Sequence, residues 1–209
     1  MNYYSHDRSE VINFIPTSCK TLLDIGCGNG AFGKTLKSQR NIEVWGVEPN
    51  SEAASIAKNN IDTVICGLFD ETTNLPINYF DAIIFNDSLE HFPDPYPPLE
   101  QVKKLLSPNG FIIASIPNFR YIENIKHILL DMDFKYTDAG ILDRTHLRFF
   151  TLKSIKRLFS DTNFEVISID GINPRWWKGK QIFLLNIFFK KYITDMKYLQ
   201  YVVVAKNKQ

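Results

Sequence analysis

The chain has almost no excess charge of either sign, with 24 lysines and arginines against 23 aspartates and glutamates. No broad field is present to hold a nucleic acid or an anionic membrane by charge alone, so a nucleic-acid partner is not expected. Cysteine is scarce and odd in number. Cys19, Cys27 and Cys66 lack the paired spacing of metal or redox motifs and lie in or beside apparent strands. That argues against a disulfide framework and for reduced thiols in a cytoplasmic protein. No apolar run reaches the roughly 18 residues that a spanning helix needs. The first ten residues, MNYYSHDRSE, are polar with two acids, unlike a secretion signal. Internal repeats, low-complexity tracts and a second-domain boundary are also missing, so residues 1–209 read as one domain.

What is present is a rhythm. Short apolar runs recur at TLLDIG (21–26), VWGVE (44–48), TVICG (63–67), DAIIFN (81–86) and FIIASIP (111–117). Runs of this length without strict alternation suit strands buried on both faces. Helical stretches separate them: 31–37 after the first run, a helix capped by Asn50, and a stripe of Leu99, Val102, Leu105 and Leu106 that SPNG (107–110) terminates. Strand and helix alternating five times predict a doubly wound, parallel α/β sheet. From 118 to 150 the rhythm stops, in a polar and aromatic segment without a clear strand. Thr151 then caps a helix carrying Leu152, Ile155, Leu158 and Phe159, and two strands follow at 164–170 and 200–206.

In such a sheet, ligands bind beyond the carboxyl ends of the strands where the strand order reverses. The turn after the first run carries Asp24, Gly26, Cys27, Gly28 and Gly30, and Glu48 ends the second run. A carboxylate there suits ribose hydroxyls, in NAD or in S-adenosylmethionine, and the glycines alone do not separate the two. Asp24 does: a pyrophosphate gains nothing from an acid, whereas a cationic aminoacyl group does. The strings LLDIGCGNG and VEPN resemble motifs of the class I S-adenosylmethionine-dependent methyltransferases. The resemblance covers the chain to about Pro117, and the last helix and two strands fit the same architecture. It implies a Rossmann-like seven-stranded sheet, mostly parallel, with the antiparallel last strand between its neighbours. It places Asp24 and Gly26 by the methionine moiety, Glu48 on the ribose, and Leu68, Phe69, Asn86 and Asp87 around the adenine. Many relatives have an acid where this chain has Leu68 and Phe69, which leaves backbone, Asp70 or nothing for the adenine amino group.

On the acceptor side, FNDSLEHFPDP resembles the segment after the fourth strand of the ubiquinone-biosynthesis O-methyltransferases, and DRTHLRFFT places His146 as in those relatives. The resemblance implies Glu90, His91 and His146 as catalytic residues. It also implies Asp87, Glu90, His91 and His146 as ligands of a divalent cation such as magnesium. A neutral histidine taking a hydroxyl proton, a cation that acidifies the hydroxyl, and purely structural roles all remain open. Residues 118–150 resemble methyltransferases found with bacterial surface-polysaccharide functions. Asn118, Arg120, Tyr121, Tyr136, Asp143 and Arg144 would then line a polar acceptor pocket, or the aromatics among them would only pack the lid; Tyr3 or Tyr4 would cover the cofactor, and Arg8 would meet its carboxylate or, the preferred reading, form a surface salt bridge. The aromatic insertion at 173–197, with Trp176, Trp177 and flanking lysines, reads as a buried cap or homodimer contact, or as a peripheral membrane contact. The expectation is a methyltransferase acting on a hydroxyl of a sugar, glycan or other small acceptor. A small quinol or phenol is the alternative acceptor, and a non-catalytic cofactor-binding module the alternative role.

Overall fold

The computed structural model describes residues 8–175 and 193–208. Seven strands form one sheet: β1 (Thr21–Ile25), β2 (Glu43–Glu48), β3 (Thr63–Cys66), β4 (Phe80–Asn86), β5 (Leu106–Pro117), β6 (Phe164–Pro174) and β7 (Tyr198–Asn207). Their order is β3-β2-β1-β4-β5-β7-β6. β7 runs antiparallel between β5 and β6, and the remaining pairs are parallel. The order reverses between β1 and β4, which opens a crevice beyond their carboxyl ends.

The apolar runs lack alternation because both faces of the sheet are covered. Successive side chains of a strand point to opposite faces, so Leu22, Ala82 and Ile84 join one core and Leu23, Ile25, Ile83 and Phe85 the other. The first core packs against α1 (Ser9–Ile12), α2 (Ala31–Gln39) and α3 (Ser51–Ala57); the second packs against α4 (Tyr96–Leu105) and α6 (Leu152–Asp161). Asn50 caps α3 by accepting from the Ala53 N–H at 2.9 Å. Thr151 and Ser154 close a reciprocal capping box on α6, each side chain accepting from the other's backbone N–H.

Two segments differ from the sequence-based expectation. SPNG does end α4, at Leu105, but residues 107–110 bulge within β5: Phe80 pairs with Leu106, yet Ala82 already pairs with Phe111. Residues 118–150 contain a helix, α5 (Ile122–Leu130), whose Leu129 and Leu130 stay exposed. Its burial pattern is therefore incomplete, and periodicity does not reveal it. Tyr3, Tyr4 and the aromatic stretch 176–192 lie outside the described residues. Among the described residues no helix is long and apolar enough to cross a membrane.

Gly46, in the middle of β2, lets the sheet approach the turn after β1. A Cβ there would collide with the Cys27 sulfur and come within 2.7 Å of Ile61 Cδ1. Gly46→Ala is expected to lower stability by about 1–3 kcal/mol, the cost of overpacking a dense core, read in urea unfolding. Adding Cys27→Ala removes the sulfur and should recover part of that loss. Equal stability of Gly46→Ala and the parent would show that sheet and turn do not press together here.

Candidate functional site

The turn after β1 is built from backbone that ordinary residues avoid. Gly26, Gly28 and Gly30 have φ of 82°, 55° and 76°, where a side chain would be strained. The amides of Gly26 and Cys27 donate to the Val47 carbonyl at 2.8 and 3.2 Å, pinning the turn to β2. Glu48, 4% exposed, closes the arrangement: Oε2 accepts from the Gly28 N–H and Oε1 from the Asn50 N–H, both at 2.8 Å. Each oxygen retains a second lone pair for a ligand hydroxyl. Gly30 sits behind the turn as the N-cap of α2, its Cα position close against Ala57.

Asp24 is 2% exposed and its Oδ1 has no hydrogen-bond partner. Burial, helped by the neighbouring Glu48, pushes its pKa up to about 7. A buried acid without a cation is a vacancy for one. The Cys27 thiol is raised far above its usual range by burial and by Asp24 and Glu48, so it packs rather than reacts.

A cavity of about 690 Å³ opens over this turn, within the ordinary range for small-molecule sites. Asp24, Gly26, Cys27, Gly28, Glu48, Leu68, Phe69, Asn86 and Asp87 all line it, as the sequence predicts; Gly30 does not. Phe69 is buried and Leu68 is 71% exposed. Asp70 is absent from the lining and turns its carboxylate to Thr72, which removes it from the adenine candidates. An unpartnered acid, two closely approachable glycines and a ribose-distance carboxylate fit an adenosyl ligand with an ammonium group, as in S-adenosylmethionine.

The other end of the cavity gathers Glu90, His91 and His146, one donor atom from each lying within 4.8 Å of the others. Glu90 and His91 belong to a 3-10 turn, Leu89–His91, after β4. His146 arrives on the loop before α6, held because the Leu147 and Arg148 amides donate to the Glu90 carbonyl at 2.8 and 3.0 Å. The imidazole rings meet edge to face at 4.8 Å. His146 Nε2 is 3.8 Å from Glu90 Oε1. Neither Glu90 oxygen has a hydrogen-bond partner, and burial, then Asp87, raises its pKa well above the carboxylate range. Burial and the neighbouring His146 push the His91 pKa below the imidazole value. Burial thus disfavours the charged form of both groups, the Glu90 carboxylate and the His91 imidazolium.

Asp87 stands apart from this cluster, against the four-ligand expectation. Its carboxylate is taken up by Arg8 Nη1 at 2.6 Å, Gln200 Nε2 at 2.7 Å and Ser115 Oγ at 3.0 Å. Arg8 is thus no surface salt bridge: its side chain is 16% exposed and lines the cavity. Sequence gives little sign of this, because the pair is joined across 79 residues. Of the six polar residues expected along the acceptor pocket, Asp143 alone lines it. Asn118 donates to the Asp195 and Tyr198 carbonyls, Arg120 pairs with Asp195, and Arg144 pairs with Asp138 at the surface. Tyr121 is buried in a small core, and Tyr136 joins Phe119, Phe134 and Phe149 in an aromatic cluster. Phe92, Pro93, Pro117, Ile141 and Leu199 wall the acceptor end instead.

The family described as "Methyltransferase domain" matches residues 4–169, more than half of the chain. A ubiquinone biosynthesis O-methyltransferase of Haemophilus ducreyi is 31% identical over 121 residues, 51% of this chain and 51% of that protein. The chain thus spans about half the length of that relative. The crystal structure of a SAM dependent methyltransferase from Archaeoglobus fulgidus superposes with a TM-score of 0.70 at 19% identity, covering 95% of this chain and 92% of that one. Phosphoethanolamine N-methyltransferase 2 of Haemonchus contortus, solved with S-adenosyl-L-methionine, gives 0.64 at 17%, covering 97% and 52%. The sheet order, the acid-lined turn at its switch point and the match over residues 4–169 agree: the chain belongs to the class I S-adenosylmethionine-dependent methyltransferases.

Proposed function

We propose that this chain transfers a methyl group from S-adenosylmethionine to a hydroxyl of a small, uncharged acceptor of phenol or quinol type. The observation that carries this reading is the pairing, at one end of a single cavity, of the Glu90, His91 and His146 cluster with walls of Phe92, Pro93, Pro117 and Ile141. Flat apolar walls suit an aromatic ring better than a sugar, whose hydroxyls need polar partners. Of the six side chains expected to supply them, all but Asp143 lie outside the cavity lining. The resemblance to an O-methyltransferase of ubiquinone biosynthesis points the same way.

The donor, when bound, supplies an electrophilic methyl group. Asp24 and Glu48 hold its ammonium and ribose, while Arg8 at the cavity wall is engaged by Asp87. The chain's own chemistry lies in the acceptor proton. A phenol has a pKa near 10, so its proton must leave as the methyl moves. His91, kept neutral by burial, takes it as general base. A divalent ion, if used, would be held by Glu90, His91 and His146 and would acidify the same hydroxyl. Most of the rate is left to in-line placement of the two reactants.

Glu48→Ala should weaken S-adenosylmethionine binding by about 1.5–3 kcal/mol, the range for hydrogen bonds to a charged group. Calorimetric titration measures it, and unchanged affinity would remove Glu48 from the ribose. Affinity should also depend on pH through Asp24. Below about 7 its carboxyl is protonated, so binding an ammonium must expel a proton; affinity rises as the pH approaches 7. It falls again above about 8, where the ligand's own α-amino group deprotonates. Asp24→Asn should flatten the rising limb, and a parent profile level from pH about 5 to 7 would refute the pairing. His91→Ala and His146→Ala should each cut turnover by roughly 10²–10⁴ with little change in cofactor affinity. Parent-like rates in both variants, assayed with catechol-type acceptors, would sink the acceptor-site reading. Loss of turnover on chelation, restored by magnesium, would select the metal role over the base.

A further inference from the structure

The two imidazoles of the cluster are gripped by one short loop. His146 Nδ1 lies 2.9 Å from the Ile141 carbonyl and His91 Nδ1 lies 3.1 Å from the Thr145 carbonyl. A carbonyl oxygen only accepts, so each Nδ1 carries the hydrogen and each neutral ring keeps its lone pair on Nε2. An imidazole side chain in water favours the opposite tautomer, so the loop has to enforce this one.

The shape of that loop comes from one acid. Asp143 is 3% exposed. Its Oδ1 accepts the Thr145 N–H at 2.8 Å and the Thr145 hydroxyl at 2.7 Å. Its N–H donates to the Gly140 carbonyl at 3.1 Å, and its carbonyl accepts the His146 N–H at 3.0 Å. The hydrogen bonds of Asp143 thus shape residues 140–146, the stretch that carries both acceptor carbonyls, while its charge also acts on the two imidazoles.

We infer that Asp143 and Thr145 are positioning residues that fix the tautomer of His91 and His146, leaving Nε2 of each ring as the nitrogen that receives a proton or binds a cation. Neither residue needs to touch the acceptor. Asp143 shapes the turn, the turn sets the two carbonyls, and the carbonyls choose the nitrogen. The inference rests on the acceptor-site reading of His91 and His146 for its purpose, but its test does not.

The tautomers are read from long-range ¹H–¹⁵N spectra of the ¹⁵N-labelled full chain at a pH of about 8, above the ordinary imidazole range. The signals are assigned by their loss in His91→Gln and His146→Gln. The parent should show the Nδ1–H tautomer at both rings in roughly tenfold or greater excess, the order of ratio that a good hydrogen bond sustains. Asp143→Ala should drive His91 toward the Nε2–H form, whereas Asp143→Asn, whose amide oxygen accepts both Thr145 bonds, should keep the parent pattern. If Asp143→Ala does not fold, Thr145→Val, which drops one of the two bonds, is read in its place for the same shift. An Nε2–H signal at either histidine of the parent overturns the inference. So does a folded Asp143→Ala, or its substitute, that keeps both parent tautomers. No acceptor enters the measurement, so failure to methylate any compound leaves the tautomer result standing, and the reverse holds as well.

Discussion

Burying a carboxyl group without a hydrogen-bond partner is among the costliest arrangements a folded chain holds, and Asp24 Oδ1 and both Glu90 oxygens, all lining one cavity, are buried in that way. Asp24 closes on the crevice from β1, and Glu90 follows β4, the neighbouring strand. Burial raises the pKa of both acids above their ordinary range, which favours the protonated form of each. Glu48 takes the other solution and accepts two backbone N–H groups. An effective penalty of several kcal/mol for each buried ion has to be offset by packing. A fully buried Leu, Ile, Val or Phe contributes roughly 1.5–3 kcal/mol. The central strands are accordingly apolar on both faces up to the residue where the acid appears.

That contrast is why the cofactor half of the site is legible in the sequence. Asp24 interrupts an otherwise apolar run, Glu48 ends another, and three glycines fall where the chain must turn with positive φ. All of this is local: the residues lie within one strand–turn–helix unit or at the adjacent strand end. The order of the sheet follows from the same repetition of strand and helix. The short α1 and α5 escape, α5 because its last turn presents leucines to solvent and breaks the pattern by which buried helices are recognised.

The acceptor half is assembled from a distance, and composition says little about it. His91 meets the loop of His146 across 54 residues. Arg8 reaches Asp87 across 79 and the side chain of Gln200 across 192. Asn118 and Arg120 look like pocket polars in a linear reading, yet they fasten the start of β5's outgoing loop to residues 195–198. A polar side chain in a loop has two uses, to meet a ligand or to satisfy other backbone, and the second is settled only by tertiary packing. The structure gathers Glu90, His91 and His146, named from the family resemblance, while Asp87 pairs with Arg8 from the far N-terminal segment instead.

The electrostatics of the two ends also run in the direction the proposed reaction requires. Methyl transfer to a hydroxyl removes the positive charge of the donor and releases a proton at the acceptor. The donor end therefore needs an acid that releases its proton to solvent when a cationic ligand binds, and burial, by raising the Asp24 pKa to about 7, leaves it poised to do so. The acceptor end needs an uncharged base with an acid near enough to steady it once protonated. His91 is lowered by desolvation and by His146, while the nearby Asp143 and Asp87 pull in the other sense. On the proposed reading this balance leaves the ring uncharged before reaction, and the same two carboxylates would steady the imidazolium that follows. A cavity with this gradient favours neutral acceptors, because an anionic one would meet Asp143 and Asp87 with Arg8 already committed to Asp87.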